Sequence, residues 1–240
     1  MSGLSWLVER PIAHRGLHDL NQRKWENTLS AFAAAADKGY SIECDVHLAA
    51  DGVPMVFHDR DLERLTGQKG KVFDKTATEL GAMTVGGTGD RIPTLAESLA
   101  EIAGRVPVVI ELKGVEGKDD RLVAAVAADL AGYRGHAAIM SFDHWLVRRF
   151  ATDAPGITAG LTASGNETAE LEAHFSMLAH SPDFVSWGVA DLPSPFVAFV
   201  RGRLGLPVIT WTVLEPADIQ RTFAHADQMT FEGFEPPLAR

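Results

Sequence analysis

The stretch SIECDVHL, residues 41–48, is a strand-like run that contains two acidic residues. Its β-branched and apolar residues are typical of a strand. Side chains two apart in a strand share a face, so Glu43 and Asp45 point to one side and Cys44 points to the other. The stretch therefore predicts a strand with two carboxylates on one face.

Strand-like runs of this kind recur along the chain and alternate with alanine- and leucine-rich, helix-like runs. The other strand-like runs are Pro11–Ala13, Val106–Leu112, Ala137–Phe142, Ile157–Leu161, Phe184–Trp187, Pro207–Val213 and Gln228–Phe231. The helix-like runs are Thr28–Lys38, Leu95–Ala103, Asp120–Ala131, His144–Ala151, Thr168–Ala179, Pro195–Leu204 and Pro216–Ala224. Eight strands alternating with seven helices predict an α/β fold, a (β/α)8 TIM barrel whose last helix is missing or reduced to the tail Phe234–Arg240.

An open, doubly wound parallel sheet is the alternative fold for this alternation. Neither GxGxxG nor GxxxxGK[ST] follows a strand-like run, so both nucleotide-binding versions of that sheet lack their signature. Between the second strand and the second helix, residues 59–92 form a glycine-rich excursion, which predicts a short insertion on the barrel rim. We expect one domain that spans residues 1–240.

Composition limits the classes of partner. The 240 residues suit one large domain, and 46% hydrophobic residues with a mean hydropathy of +0.00 argue against a disordered or membrane-spanning chain. The 22 basic and 32 acidic residues give a net charge of −10, which leaves no general basic surface for a nucleic acid. A small molecule is therefore the expected partner.

Cysteine usage and the N-terminal sequence bear on location. The single cysteine, Cys44, can form neither an internal disulfide nor a cysteine-based zinc site. The N-terminal sequence shows no secretory pattern, and no apolar run approaches the ~18 residues of a membrane span. A cytoplasmic location is the prediction.

Charged residues concentrate where the predicted strands end. Glu43 and Asp45 share a face of one strand, and Glu111 and Lys113 share a face of the next. Carboxylates grouped inside a barrel repel one another unless a cation lies between them, and three oxygen ligands favour Mg²⁺ or Ca²⁺ over Zn²⁺. A buried salt-bridge network of these three carboxylates with Arg15 and Lys113 is the alternative explanation.

The order and spacing of several motifs resemble the glycerophosphodiester phosphodiesterase family. The motifs are His14-Arg15-Gly16, Glu26-Asn27-Thr28, Glu43-Cys44-Asp45-Val46, Asp51 through Asp59, Arg64-Leu65-Thr66-Gly67, Pro93-Thr94-Leu95, Glu111-Leu112-Lys113, Ser141-Phe142 and Trp211-Thr212-Val213. The resemblance implies a barrel hydrolase of glycerol and lipid metabolism that cleaves glycerophosphodiesters to sn-glycerol 3-phosphate and an alcohol. It also implies attack by the neighbouring glycerol hydroxyl through a cyclic phosphate.

The resemblance also implies residue roles. His14 and His58 are the acid/base pair, and Glu43, Asp45 and Glu111 hold one divalent metal, Mg²⁺ or Ca²⁺. Arg15 and Lys113 contact the phosphate, whereas Trp211 and Phe142 line the substrate site. Glu26 orients Arg15. We expect His18, His47, His144, His180 and His225 to serve in packing or at the surface.

Three positions depart from the family pattern, and two other activities compete. Trp25, Leu214 and Glu232 replace the usual residues, and we expect these departures to affect the rim that recognises the alcohol more than the metal ligands. Lysophospholipase D or sphingomyelinase D-like cleavage of a lipid phosphodiester is one alternative. A non-catalytic barrel that binds phosphodiesters is the other, and it is disfavoured because no catalytic residue is missing at the matching positions.

Overall fold

Eight parallel strands close into a barrel in the computed structural model, which describes residues 3–238. They are β1 (Ile12–Ala13), β2 (Ser41–Leu48), β4 (Val108–Leu112), β5 (Ala137–Ser141), β6 (Thr158–Ala163), β7 (Phe184–Gly188), β8 (Val208–Val213) and β9 (Gln228–Phe231). The barrel closes because β1 pairs in parallel with both β2 and β9. The predicted (β/α)8 barrel is thereby confirmed.

A further strand, β3 (Pro54–Val56), lies outside the closed barrel and was not predicted. It pairs antiparallel with β2, so that Val56 lies opposite Val46. Three residues are too few to show a strand periodicity, and proline at the first position suits an edge strand. This hairpin directly precedes the excursion of residues 59–92.

Eleven helices are present among the described residues, and most of the larger ones connect barrel strands. They are α1 (Ser5–Val8), α2 (Leu29–Asp37), α3 (Glu63–Thr66), α4 (Ala77–Gly81), α5 (Leu95–Ile102), α6 (Leu122–Leu130), α7 (His144–Val147), α8 (Phe150–Asp153), α9 (Thr168–Met177), α10 (Pro195–Phe199) and α11 (Pro216–His225). Short 3₁₀ turns cover Val72–Asp74, Leu178–His180 and Val189–Asp191, and a π-helical segment covers Val200–Leu204. No helix in residues 3–238 is both long enough and apolar enough to cross a bilayer.

Two predicted helices differ from the observed ones. The run His144–Ala151 is two short helices, α7 and α8, because the chain tightens where the Arg149 N–H bonds to the Leu146 carbonyl, three residues back. The run Pro195–Leu204 is α-helical only as far as Phe199 and then widens into the π-helical segment.

Apolar side chains pack in two layers, one inside the barrel and one between the strands and the surrounding helices. Ile12, Val109 and Phe184 point inward and meet Trp6 and Leu7 of α1, which cover the bottom of the barrel. Outward-facing strand residues pack against the surrounding helices, and Cys44 lies in this outer layer. The alternation along β2 therefore places Cys44 on the face opposite the carboxylates, as predicted.

The insertion has an apolar cluster of its own. Leu62, Leu65 and Leu80 are fully or almost fully buried in it, together with Met55 of β3. Trp25, one of the three departures, packs against this cluster from the loop before α2. The insertion is therefore an ordered part of the barrel mouth.

The C-terminal tail replaces an eighth outer helix in the part of the chain that is described. Residues 234–238 follow β9 without helical structure, and the Tyr40 hydroxyl donates a 2.6 Å hydrogen bond to the Pro236 carbonyl. Residues 239–240 of the predicted tail lie outside the described residues, as do residues 1–2 of the predicted domain.

Candidate active site

The residues singled out from the sequence meet at the C-terminal end of the barrel. Asp45 on β2 is the register partner of Glu111 on β4, and His14 and Arg15 directly follow β1. A cavity of about 110 Å³ opens here, lined by His14, Arg15, Glu43, Asp45, His58, Glu111, Lys113, Met140, Phe142, Trp211, Thr212 and Thr230. All the predicted site residues except Glu26 line this cavity.

Three carboxylates form the floor of the site. One oxygen of each of Glu43, Asp45 and Glu111 lies within 4.8 Å of the others, and all three side chains are buried. Lys113 Nζ contacts Glu111 and lies 3.0 Å from Asp45 Oδ1, whereas Arg15 Nε lies 3.3 Å from Asp45 Oδ2. Two fixed cations therefore face three carboxylates.

The electrostatics of these carboxylates are unequal. Burial, reinforced by Asp45 and Glu111, raises the pKa of Glu43 well above its ordinary value. Burial also raises the pKa of Glu111. Burial acts in the same direction on Asp45, but the charges of Lys113 and Arg15 outweigh it and hold its pKa low. Glu43 is thus the carboxylate whose charge is least compensated.

His14 is held by Glu232. Its Nδ1 lies 2.6 Å from Glu232 Oε2, and its Nε2 lies 3.9 Å from Glu43 Oε2. The hydrogen bond from His14 lowers the pKa of Glu232, so this carboxylate is ionised and can only accept. His14 Nδ1 is therefore the donor of this hydrogen bond, and Nε2 faces the carboxylates. Glu232 therefore contacts a predicted catalytic histidine, whereas we expected this departure to affect the rim.

His58 reaches the site from the hairpin. It follows β3, and the Phe57 N–H donates a 2.9 Å hydrogen bond to the Asp45 carbonyl, which keeps the chain beside β2. His58 Nδ1 lies 2.7 Å from Asp59 Oδ1. Burial lowers the pKa of His58, so its neutral form is favoured near pH 7. Both predicted catalytic histidines therefore share one arrangement, with a carboxylate on Nδ1.

Arg15 is anchored from behind by Glu26. Arg15 Nη1 donates a 2.7 Å hydrogen bond to Glu26 Oε1, and the Arg15 backbone N–H donates one of 2.9 Å to Glu43 Oε2. Glu26 also accepts hydrogen bonds from Asn21 and Arg64. Burial opposes ionisation of Glu26, but the hydrogen bonds from Arg64 and the charge of Arg15 lower its pKa to about 2. The contact predicted between Glu26 and Arg15 is present.

Aromatic side chains form one wall of the mouth. The rings of Phe142 and Trp211 meet edge to face with centroids 5.0 Å apart, and Lys113 Nζ lies 5.8 Å from the Phe142 centroid. Phe142 is 38% exposed, so this wall reaches solvent, and Leu214, which follows β8, is 59% exposed. A substrate group that extends past the cavity would meet apolar surface here.

The five other histidines considered in the sequence fall into two groups. His47 is buried and its Nε2 lies 3.0 Å from the His58 carbonyl, while buried His18 lies 4.0 Å from Glu232. His144, His180 and His225 lie outside the cavity lining. His18 and His47 are buried, which agrees with the expected role in packing. Both also lie next to residues of the site.

Sequence reasoning gave no role to four residues that contact the site. Asn27 Nδ2 donates a 2.9 Å hydrogen bond to Asp45 Oδ2. Asp59, Arg64 and Glu232 contact the histidines or their partners. Asn27, Asp59 and Arg64 belong to the quoted motifs, a signal that could have identified them. Glu232 lies 218 residues from His14, so no local pattern connects the two.

The mouth of this (β/α)8 barrel contains clustered carboxylates, two cations and two histidines that each contact a carboxylate. These groups are the ones that a phosphodiester hydrolase needs. The family model of the glycerophosphoryl diester phosphodiesterase family matches residues 14–228. The chain belongs to this family, and it is a hydrolase of phosphoric diesters.

Individual relatives agree with this assignment. The chain is 33% identical over 224 residues to the glycerophosphodiester phosphodiesterase of Caldanaerobacter subterraneus subsp. tengcongensis, covering 88% of each. It is 26% identical to glycerophosphodiester phosphodiesterase 1 of Bos taurus, covering 84% of this chain and 71% of the relative.

Solved structures share the fold. An Oleispira antarctica phosphodiesterase superposes with a TM-score of 0.82 at 23% identity, covering 95% of this chain and 94% of the other. The Thermotoga maritima glycerophosphodiester phosphodiesterase superposes with a TM-score of 0.74 at 25% identity, covering 92% and 93% of the two chains.

Proposed function

We propose that this protein hydrolyses glycerophosphodiesters to sn-glycerol 3-phosphate and an alcohol, with a divalent cation bound by Glu43, Asp45 and Glu111. The observation that carries the proposal is that these carboxylates, two cations and two histidines line one small cavity. The Oleispira antarctica phosphodiesterase of the same fold was solved in complex with the product sn-glycerol-3-phosphate. That complex supports the choice of product.

The carboxylate cluster fits a hard cation. Its donors are oxygens only, as Mg²⁺ and Ca²⁺ prefer. Glu43 has no ion pair with a lysine or arginine side chain in residues 3–238, and burial beside Asp45 and Glu111 raises its pKa, so a bound cation would compensate its charge. When bound, the cation would supply positive charge to polarise the phosphoryl oxygens. The alternative salt-bridge network satisfies Asp45 and Glu111 through Lys113, but it leaves Glu43 without such a partner.

Arg15 and Lys113 are placed to bind the phosphate. Both line the cavity, and the carboxylates hold their charged ends there. Asp45 and Glu111 outweigh the effect of burial and raise the pKa of Lys113, so it is cationic at neutral pH. The cavity of about 110 Å³ is well below the roughly 300–1,000 Å³ of pockets that enclose a drug-sized ligand. It therefore takes the phosphate and its neighbouring atoms, while the alcohol extends to the wall of Phe142 and Trp211.

His14 and His58 transfer the protons. With their Nδ1 atoms committed to Glu232 and Asp59, both rings have Nε2 for the reaction. One Nε2 accepts the proton of the attacking oxygen, and the other ring, in its protonated form, donates a proton to the leaving alcohol. The carboxylate on each Nδ1 fixes the orientation of the ring and stabilises its protonated form.

The reaction is tested with metal-free protein resupplied with Mg²⁺, Ca²⁺, Mn²⁺ or Co²⁺. Glycerophosphocholine and glycerophosphoethanolamine are the substrates, and released glycerol 3-phosphate is measured. We expect turnover only with a cation, no turnover in Asp45→Asn, and unchanged turnover in the exposed control Glu116→Gln. Turnover that survives complete chelation would contradict the metal site, and tight binding without product would favour the non-catalytic alternative.

The same assay separates the lipid alternative. Lysophosphatidylcholine is compared with glycerophosphocholine, which lacks its acyl chain. We expect the deacylated substrate to be preferred because the insertion turns its apolar residues inward, into its own cluster. A higher kcat/KM for the lysolipid would favour lysophospholipase D activity. A cytoplasmic location and the lack of a nucleic-acid partner stay predictions.

A further inference from the structure

Arg64 lies outside the cavity lining but contacts two residues behind it. It belongs to α3 of the insertion, and its side chain is 44% exposed. Its Nη1 and Nη2 donate hydrogen bonds of 2.9 and 2.8 Å to the two oxygens of Glu26. Its Nε and Nη2 donate hydrogen bonds of 2.6 and 3.0 Å to the two oxygens of Asp59. One guanidinium thus makes two bidentate contacts, the strongest geometry for such pairs.

Each of the two carboxylates that Arg64 binds holds one residue of the site. Glu26 Oε1 accepts the hydrogen bond of Arg15 Nη1 at 2.7 Å. Asp59 Oδ1 accepts that of His58 Nδ1 at 2.7 Å. Arg15 follows β1, whereas His58 follows β3, so the two side chains reach the cavity from different strands. Arg64 connects them through one carboxylate each.

We propose that Arg64 is a positioning residue that sets the orientations of Arg15 and His58 together. The inference rests on the proposed function, in which Arg15 binds the phosphate and His58 transfers a proton. Without Arg64, buried Glu26 would lose two of its four side-chain donors, and Asp59 would keep His58 alone as its side-chain partner. Both anchors would then be free to change rotamer.

A lysine cannot replace this arginine. Its ammonium is a point charge without the planar fork that engages two carboxylates in bidentate fashion. The positioning role therefore predicts that Arg64→Lys resembles Arg64→Ala more than the wild type. A general need for positive charge predicts the reverse.

Steady-state kinetics of the metal-loaded enzyme test the role. Loss of a partner behind a ligand or catalytic group typically costs about 10–100-fold, and we expect a fall in kcat/KM of that size for Arg64→Ala and Arg64→Lys. Arg201→Ala is the matched control, because Arg201 is 43% exposed and pairs with Asp227 away from the cavity. Activity of either Arg64 variant within twofold of the wild type would overturn the proposal.

Double-mutant cycles separate positioning from general stability. Arg64→Ala combined with Asp59→Asn should lower kcat no further than the more damaging single change, because both act on His58. Arg64→Ala combined with Glu26→Gln should show the same saturation in KM, because both act on Arg15. Additive effects in both cycles would contradict coupling through these carboxylates.

Imidazole ¹⁵N NMR tests the contact without any substrate. Arg64→Ala should shift the His58 Nδ1 signal and leave that of His14 in place, because His14 Nδ1 pairs with Glu232, which Arg64 does not contact. An unchanged His58 signal would overturn the positioning role even if the wild type hydrolyses glycerophosphodiesters. A shifted His58 signal in a protein without turnover would instead refute the proposed function and leave the contact established.

Discussion

At the scale of single residues, the two histidines differ in what lies behind their carboxylates. Asp59, behind His58, is itself neutralised by Arg64. Glu232, behind His14, has buried His18 at 4.0 Å and no arginine or lysine ion pair in residues 3–238. The negative charge of Glu232 beside His14 is therefore less compensated than that of Asp59 beside His58.

Removal of either histidine should nearly abolish turnover. His14→Ala and His58→Ala each delete one proton-transfer group, which costs roughly 10²–10⁴ in rate. The measurement is kcat on glycerophosphocholine at saturating metal, with the exposed His180→Ala as a control that keeps its activity. A decrease of less than threefold in either variant would remove that histidine from the reaction.

Glu26 should make stability depend on pH. Its pKa is about 2 in the folded chain against an ordinary value of 4.5, so the stabilisation is complete above 4.5 and is lost as the pH falls towards 2. The difference corresponds to about 3 kcal/mol at neutral pH. Urea unfolding of the wild type and Glu26→Gln between pH 7 and pH 3 should show a stability gap that narrows below pH 4.5. A gap that stays constant over this range would contradict the low pKa.

At the scale of elements, the hairpin of β2 and β3 supplies a predicted catalytic histidine, and the insertion supplies its support. The hairpin of β2 and β3 places His58, and α3 places Arg64. Trp25 packs across Gly86 of the insertion, so the loop that carries Glu26 also packs against the insertion. The insertion therefore supports the site from outside the cavity lining.

Two adjacent glycines offer a matched test of this packing. Gly86 and Gly87 both have positive φ, 62° and 67°, but an added Cβ would enter the Trp25 indole at Gly86 and meet nothing within 4 Å at Gly87. Both alanine variants are destabilised by the left-handed backbone conformation. Gly86→Ala loses roughly a further 1–3 kcal/mol of stability because its Cβ overpacks against Trp25. Urea unfolding should show this extra loss for Gly86→Ala. Equal losses of stability at the two positions would mean that the Trp25 indole moves aside without destabilising the fold.

Elements whose residues share a strand or helix period could be predicted from the sequence, and contacts between distant segments could not. The alternation of Glu43, Cys44 and Asp45 along β2 determined which side chains enter the barrel. Three-residue β3 has no measurable period, so the hairpin was missed. Arg64 and Glu26 lie 38 residues apart, and their pairing depends on how the insertion folds over the barrel.

At the scale of the whole molecule, the acidic charge and an anionic substrate are compatible. The net charge is −10, yet Arg15 and Lys113 line the cavity, and the proposed cation would lie among the carboxylates. Charges beyond about 8–10 Å are screened at physiological salt, so the local cations decide whether a small phosphodiester binds.

Cation binding should stabilise the entire fold. A ligand at 100 times its Kd adds about 2.7 kcal/mol, which for a chain of this size raises Tm by roughly 5–10 °C. Thermal unfolding of metal-free protein with and without Mg²⁺ or Ca²⁺ measures the shift. Asp45→Asn should lose it and Glu116→Gln should keep it. A shift of the same size in Asp45→Asn would place the cation elsewhere.

The bond between His14 and Glu232 also has a consequence for biosynthesis. His14 follows the first barrel strand and Glu232 follows the last, so the pair exists only when β1 and β9 have joined. A nascent chain that lacks residue 232 already contains Glu43, Asp45 and Glu111, but it has no carboxylate for His14 Nδ1. It cannot fix the His14 ring, so full activity during translation would begin only after the barrel has closed.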